Sequence, residues 1–473
     1  MSVVEGARAD AGTGVAEGPL RLDGRLKLVL VVLLVAQFML AVDFSILNVA
    51  LPVIGDGLGF SLSNLQWIAT SFALCAAGFT LLFGRVADLF GRRRLFLVGL
   101  AVLGLSSLAG GLATSPEMLL VARVFQGLAT AAVTPAGLSL LTTSFPEGPL
   151  RQKALGLNGA LMSAGFTTGA ILGGVLTDLL SWRWAFFINV PVALAVLLIA
   201  PAVIKESRPS VRPKLDLPGA TAVTLGLLAL IYGLTQAGEH GWGSGSALGW
   251  LGAGVVLLIA FYAVESKTAE PLVPVSVLKK KTVAWGNIAG LIAFLTETSL
   301  VFLMTLYLQE VLDFSPLAAG LSFGVLGIGT VIGGSIAPRV IAATNTRTTL
   351  VAGGVLQAVA TLSLIALGET SSSMWLLLMA TFAGGVGNML VIVGFMVTAT
   401  TGLPDHEQGM ATGLATMTQQ IGITMGTPVM SAIVAANTDI HEGITTAVIV
   451  NTAIVLVGIL TTVLFLRTKQ PGN

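Results

Sequence analysis

The hydrophobic positions of this chain form long, continuous runs that are separated by short polar connections. A membrane-crossing helix needs about 20 mostly apolar residues, and the runs have that length without the strict alternation of β-barrel strands. They predict fourteen helices, at 28–52, 65–83, 95–113, 118–142, 154–177, 185–204, 217–237, 247–264, 283–308, 317–337, 350–367, 375–399, 410–435 and 445–466. The pattern is typical of an all-α membrane protein.

Composition excludes several other classes of protein. Charged residues make up 10% of the 473 positions and hydrophobic residues 55%, with a mean hydropathy of +0.92, whereas a soluble domain carries about 25% charged residues. A net charge of +1 argues against a nucleic-acid partner. The single cysteine, Cys75, lies inside an apolar run and so excludes a disulfide framework or a cysteine-based metal site. The predicted surroundings are a lipid bilayer, with no metal.

The basic residues are distributed very unevenly between the two sides of the predicted topology. Of 24 Lys and Arg residues, 22 fall on the tails and alternate connections, Arg183 falls on the opposite side, and Arg123 lies within a predicted helix. Because cytoplasmic loops carry the excess of Lys and Arg, both termini are predicted in the cytoplasm, in the cell membrane. Residues 1–27 lack a signal-peptide pattern and are predicted to be a disordered tail, and 467–473 to be a second cytoplasmic tail.

An internal repeat is visible without any alignment. Shifting the sequence by 254 residues places Asp43 on Glu297. Only 7 of the 51 positions from 43 to 93 are identical under this shift, but the other matches cluster at equivalent loops. Transporters are often built from repeated halves. The offset therefore predicts two six-helix halves, at 28–204 and at 265–466 including a leading linker, with an inserted helix pair and its linkers at 205–264.

Asp43 and Glu297 are the two acids that lie clearly inside apolar runs. A carboxylate near the centre of a membrane helix costs about 2.5–3.5 kcal/mol on insertion scales. Since burial favours the neutral form of a carboxyl group, such a group can load and release a proton near physiological pH. This predicts a proton-coupled carrier, and the alternative for each residue is a neutral acid that joins helices through hydrogen bonds.

Arg123 is the one basic residue within an apolar run, and Gln126 follows on the same helix face. A buried guanidinium needs a partner, and Asp43 is the candidate; the alternative is that Arg123 extends to the membrane interface. Embedded amides either contact a substrate in a cavity or join helices. The candidates for a substrate cavity are Gln37, Asn48, Gln126 and Asn388.

Glycines recur at four-residue spacing in the predicted helix 154–177, as Gly165, Gly169 and Gly173, followed by Gly174. The predicted helix 317–337 is also rich in glycine. Small residues at this spacing let two helix backbones approach closely. Because the two helices belong to opposite halves, we expect a close contact between the halves there; ordinary helix packing is the alternative.

Several of these segments together resemble one family. Residues 84–94 look like the loop signature between helices 2 and 3 of the major facilitator superfamily, and 123–127 resembles its helix 4 motif. Residues 43–52 resemble the helix 1 motif of its fourteen-helix drug:proton antiporter branch, and 165–174 resembles the antiporter motif of helix 5. Ala170 departs from that motif, which usually has proline there.

The resemblance implies an alternating-access exporter with a central cavity lined by the predicted helices 1, 4, 9 and 12. It implies that Asp43 is a proton site and that Arg123 couples proton and substrate. It also implies a gating loop that holds the outward-open state by contacting the second half, made of Gly84, Arg85, Asp88, Gly91 and Arg92. Glu297 is not part of the resemblance, so its role in proton coupling rests on the repeat and on the insertion cost.

The function that these features favour is a proton-driven antiporter, without a cofactor and acting as a monomer, that exports lipophilic small molecules or antibiotics, cations included. A dedicated exporter of one endogenous metabolite on the same fold is the alternative. A channel or a membrane-embedded enzyme is a third, less favoured alternative. An enzyme would need a catalytic cluster, but His240, His406 and His441 fall in predicted loops without a shared site. The gradient of protons is the expected driving force.

Overall fold

A computed structural model of the chain describes residues 23–60, 62–145, 149–207, 216–268, 271, 275–400 and 405–466. Most of the predicted tail at 1–27 and all of the predicted tail at 467–473 lie outside these residues. The first helix begins at Gly24, so the predicted boundary at residue 28 is four residues late.

The described residues are almost entirely helical. The helices are α1 (Gly24–Leu58), α2 (Leu62–Phe90), α3 (Arg92–Gly111), α4 (Pro116–Ser144), α5 (Pro149–Leu179), α6 (Trp184–Phe187), α7 (Asn189–Val203), α8 (Leu217–His240), α9 (Gly245–Glu265), α10 (Val275–Leu278), α11 (Lys281–Leu306), α12 (Pro316–Ala343), α13 (Thr346–Ser363), α14 (Met374–Thr400), α15 (Asp405–Ala435) and α16 (Ile440–Phe465). A π-helical turn, Tyr307–Val311, follows α11.

Thirteen helical segments in the described part of the chain are long and apolar enough to cross a membrane. The predicted helix 185–204 is formed by α6 and α7 together, and the short α10 was not predicted. The predicted helix 410–435 corresponds to α15, which is not among the thirteen. The structure is thus an all-helical, multi-pass membrane protein.

Local chemistry explains where several helices begin and end. The side chains of Ser115, Ser315 and Asn345 accept hydrogen bonds from backbone N–H groups of the first turns of α4, α12 and α13, as N-cap residues do. The prediction that the first helix ends at Pro52 was wrong. The helix continues through this proline to Gly59, whose left-handed backbone (φ 75°) ends it.

The helices pack as two groups and a pair. In the first group, α1 packs on α5 and α7, and α4 packs on α2 and α3; in the second, α11 packs on α14, α15 and α16, and α13 packs on α14 and α16. The remaining pair, α8 and α9, pack on each other, and α8 also touches α2 and α15. The helix pair therefore contacts one helix of each group.

The two ends of the bundle differ in how the groups meet. At the near end, defined by the start of α1 and the end of α16, Arg25 donates to the Val203 carbonyl within the first group. At the far end, Gln309 Nε2 donates across the groups to the Val49 carbonyl at 3.0 Å. Val49 also shares one hydrophobic cluster with Leu300 of the second group. The two groups are thus in direct contact at the far end.

The glycines of α5 serve two contacts. Gly165, Gly169 and Gly173 face the backbone of α1, inside the first group. Gly174 faces α12 of the second group, where a methyl group would overlap the Pro316 carbonyl oxygen. The expected close approach between α5 and α12 is present. Of the four glycines at 165–174 of α5, only Gly174 contributes to it, and the other three face α1.

Candidate functional site

A central cavity lies between the two groups. Helices α1, α2, α4, α5, α11 and α15 form its walls. The wall is mostly apolar, with four aromatic rings: Phe44, Phe72, Phe166 and Phe294. Among the described residues, no cluster of three or more His, Cys, Asp or Glu side chains could hold a metal ion.

Glu297 of α11 is the charged side chain among the residues that line this cavity. It is partly exposed there, and no residue in the described part of the chain donates a hydrogen bond to its carboxylate. Gln419 and Gln420 of α15 add amide groups to the same wall. The cavity therefore presents one acid, amides and aromatic rings, a combination suited to a lipophilic cation.

Asp43 of α1 is fully buried in the first group, away from the cavity wall. Its Oδ2 lies 3.7 Å from Nη1 of Arg123 on α4. Its Oδ1 accepts hydrogen bonds from Gln126 Nε2 at 3.4 Å and from Asn189 Nδ2. The predicted pairing of Asp43 with Arg123 is confirmed.

Arg123 is held from several directions. It is 1% exposed, so the alternative that it extends to the membrane interface is wrong. Nε donates to the Ile68 carbonyl at 3.0 Å and Nη1 to Gln126 Oε1 at 2.9 Å. The guanidinium also lies over the Phe72 ring, 4.1 Å from its centroid. A buried cation with these partners is well compensated.

Two residues of this cluster were missed by the sequence analysis. Asn189 begins α7 and donates to Asp43, and Ser107 of α3 accepts hydrogen bonds from Gln126 at 2.8 Å and from Asn189 at 3.3 Å. Asn189 lies within a predicted membrane helix, where inserting a polar side chain costs free energy. This cost is the signal by which the sequence could have identified it. Ser107 gives no such signal, because serine is common in membrane helices.

The amides predicted for a substrate cavity lie elsewhere. Gln37 donates to the Thr134 carbonyl of α4, Gln126 belongs to the Asp43 cluster, and Asn388 donates to the Ala293 carbonyl of α11. None of the three lines the central cavity. The Asn48 side chain lies outside the described part of the structure. Of the four helices expected to line the cavity, α14 is absent from its wall, while α2, α5 and α15 take part.

The second group contains a polar cluster at the matching place, but it is neutral. Gln357 donates to Thr296 Oγ1 at 3.0 Å and Asn451 to the Thr296 carbonyl at 3.2 Å, with Asn388 nearby on α14. A spacing of 262 residues separates both Gln126 from Asn388 and Asn189 from Asn451. This spacing is eight residues longer than the 254-residue offset that relates Asp43 to Glu297. Among the described residues of the second group, no ion pair corresponds to that of Asp43 and Arg123.

The five residues predicted to form the gating loop lie at the near end. Most of them are helical: Gly84, Arg85 and Asp88 belong to α2, and Arg92 begins α3, with Gly91 between the two helices. Asp88 and Arg92 form an ion pair at 2.8 Å, and Arg92 Nη1 donates to Ser207 Oγ at 3.4 Å. Gly84 packs near Pro135 of α4, and Arg85 follows it on α2. The ion pair between Asp88 and Arg92 and the hydrogen bond from Arg92 to Ser207 thus stay within the first group and the segment that follows it.

Glu206, just after α7, holds the same loop. Its Oε1 accepts a hydrogen bond from the backbone N–H of Arg93 at 3.0 Å. Gly91 has a positive φ of 114°, and a Cβ there would lie 2.8 Å from the Glu206 carboxylate. A side chain at position 91 would therefore be strained and would displace Glu206.

Comparisons with known proteins agree with this architecture. Residues 33–427 match the sequence profile of the Major Facilitator Superfamily. The chain is 38% identical to the cephamycin export protein of Amycolatopsis lactamdurans over 86% of this chain and 85% of that one. It is 38% identical to the puromycin resistance protein of Streptomyces alboniger, over 85% and 81%. The crystal structure of the human organic anion transporter TETRAN is similar in fold, with a TM-score of 0.64 at 15% identity, covering 93% of this chain and 100% of that one.

Removing one member of the buried ion pair provides a test of its role in stability. Arg123→Gln leaves Asp43 buried without its cationic partner, so we expect a loss of about 3–5 kcal/mol in the free energy of unfolding. Adding Asp43→Asn removes the uncompensated charge and should restore most of that loss. Thermal unfolding of the purified variants measures both effects, and a double variant that is less stable than Arg123→Gln would contradict the pairing.

Proposed function

The chain belongs to the Major Facilitator Superfamily, and we propose that it is a proton-coupled antiporter that exports lipophilic small molecules, cations included. As a member of this family it is a membrane transporter and not an enzyme, and it is related to antibiotic resistance and export proteins. The observation that carries the proposal is the placement of two membrane-embedded carboxylates, Glu297 in the central cavity and Asp43 in a buried ion pair.

The proposed topology has fourteen spans, with α15 as the fourteenth. The 31 residues of α15 are long enough to cross a bilayer, and its polar Gln419 and Gln420 face the cavity rather than lipid. The two groups are then the transport halves, 28–204 and 265–466, with the inserted pair at 205–264. Both termini lie in the cytoplasm, since the basic residues cluster at the near end. The monomer contains a complete cavity.

The structure corresponds in this proposal to a state that is closed at the far, external end. The contact of Gly174 with Pro316 and the hydrogen bond from Gln309 to Val49 support this assignment. The gating loop is then docked on its own half through Asp88, Arg92 and Glu206, and it contacts the second half only in the outward-open state.

Proton coupling is assigned to Asp43 and Arg123. When Asp43 binds a proton, the Coulombic attraction to Arg123 is lost; when it is ionised, the pair reforms. Because α1, α4 and α7 all contribute to the cluster, a change in its charge affects how these helices pack. Alternation of the charge thus provides a physical link between the proton gradient and the two states of the transporter.

A dedicated exporter of one metabolite is the second candidate. It is favoured by the similarity to the cephamycin export protein of Amycolatopsis lactamdurans, whose name refers to a single compound class. The same cavity and the same carboxylates serve either function. A panel of unrelated substrates distinguishes the two, because a dedicated exporter transports one member and ignores the rest.

Asp43→Asn is expected to abolish export driven by a pH gradient. The amide keeps the size of the side chain and its hydrogen bonds with Gln126 and Asn189, but it cannot release a proton. Proton-driven uptake of a fluorescent cation into inverted vesicles, where export runs from the medium to the lumen, measures the effect. Asp56→Asn is the matched control, since Asp56 lies exposed on the same helix. Normal uptake by Asp43→Asn would remove this residue as the coupling site.

Glu297→Gln is expected to impair cationic substrates selectively. Loss of the carboxylate removes the charge partner for a cation in the cavity, so the apparent affinity for monocations should fall about tenfold or more, equivalent to ~1.4 kcal/mol. Neutral substrates should change little. Transport of matched cationic and neutral drugs tests this, with Glu310→Gln, an exposed acid after the same helix, as control. An equal effect on both substrate classes would refute the assignment.

A further inference from the structure

A second, smaller cavity of about 360 Å³ lies beside the central one and is called the side cavity here. Residues of the first group form one wall, including Thr70 and Arg123, and Thr424 and Thr427 of α15 form the other. Thr424 Oγ1 donates across it to the Ala73 carbonyl at 3.4 Å. The side cavity therefore lies at the contact between the two groups, and it contains the guanidinium of the buried ion pair.

Phe72 separates the side cavity from the central one. Its side chain lines both cavities, as does that of Phe44, which packs on it with ring centroids 5.8 Å apart. The Phe72 backbone is fixed, because its carbonyl oxygen packs against Gly127 of α4, where a Cβ would overlap it. A molecule that presses on this ring from the central cavity thus moves the ring rather than the α2 backbone.

Besides its hydrogen bonds to the Ile68 carbonyl and to Gln126, the guanidinium of Arg123 has two further partners. It lies 4.1 Å from the Phe72 ring centroid and 3.7 Å from Oδ2 of Asp43. The second distance is longer than the 2.7–2.9 Å typical of a charge-assisted hydrogen bond. Since a desolvated cation over an aromatic face is stabilised by the ring, the ring and the carboxylate attract the same cation.

From this arrangement, and resting on the proposed antiport function, we propose that Phe72 is a positioning residue that transmits occupancy of the central cavity to the Asp43–Arg123 pair. A substrate in the cavity displaces the ring from Arg123. The guanidinium then pairs more closely with Asp43, which favours the ionised carboxylate and releases its proton. Substrate binding and proton release are linked in the direction that exchange requires.

The surroundings of the pair contain few other groups that titrate. Elements packed around it contribute neutral side chains: Ser107 from α3, Asn189 from α7, and Thr424 and Thr427 from α15. Cys75 of α2 faces Gly127 about one turn from Phe72. On the side of the central cavity, Glu297 of α11 is the charged group that shares a wall with Phe72. Within the described part of the chain, the link itself acts through Asp43 and Arg123, and Glu297 must be controlled for in its test.

Phe72 is distinguished from the other rings of the cavity by its contact with Arg123. Phe294 lines the same cavity from α11, but it packs edge-to-face on Phe395 of the second group. Phe294→Leu is therefore the matched control for Phe72→Leu, since each removes one cavity ring and keeps an apolar side chain. Phe72→Tyr retains the ring and serves as the rescue variant.

The test measures binding of ethidium, a monocationic dye, to the purified protein at pH 6 and pH 8, together with dye-driven proton release in liposomes. All proteins compared carry Glu297→Gln, so that the cavity carboxylate adds no pH dependence of its own. With the wild-type residue Phe72 in this background, competition with protons should weaken binding about fivefold or more at pH 6. Phe72→Leu should bind nearly equally at the two pH values and release fewer protons per dye. Phe72→Tyr should restore the dependence, and Phe294→Leu should alter affinity equally at both.

The outcomes separate this inference from the proposed function. A pH dependence that persists in Phe72→Leu overturns the role of Phe72 and leaves antiport intact. Ethidium binding without pH dependence or proton release in the protein that retains Phe72 overturns both the role of Phe72 and the proposed antiport function. If Phe72→Leu is not monodisperse, Phe72→Met, a second apolar side chain without a ring, gives the same comparison.

Discussion

The burial of two opposite charges inside the membrane-spanning bundle constrains the first group of helices more than any other interaction. Asp43 and Arg123 come from α1 and α4, while α2, α3 and α7 supply the Ile68 carbonyl, Ser107 and Asn189. A buried ion that loses its partner destabilises a protein by several kcal/mol. Five helices must therefore keep their positions for the pair to remain compensated, and a change in its charge is felt by all five.

The two groups divide the polar chemistry between them. The first group keeps its acid in a dry cluster with a cation, whereas the second keeps a neutral cluster around Thr296 and exposes the next residue, Glu297, to the cavity. The two carboxylates that the predicted repeat places at equivalent positions thus have different surroundings. In the proposed mechanism the enclosed acid exchanges protons and the cavity acid attracts the substrate, so the two do not compete for one site.

Hydropathy predicted most of the fold, because each helix in lipid must satisfy its own backbone hydrogen bonds and therefore appears as a long apolar run. The pairing of Asp43 with Arg123 was also predictable, since a buried charge needs a counter-charge. The cavity wall was not. Gln37 and Asn388 are as polar as Gln419, but only packing decides which helix face points into a cavity. The continuation of α1 past Pro52 to Leu58 was likewise not predicted.

The most direct test of the account is proton movement in liposomes that contain only the purified wild-type protein and an imposed pH gradient. A pH-sensitive dye reports protons while unrelated cationic and neutral drugs are added one at a time. The account predicts that several lipophilic cations each trigger proton efflux in proportion to the drug transported. Drug transport without any proton movement, by protein shown to be folded, would contradict it.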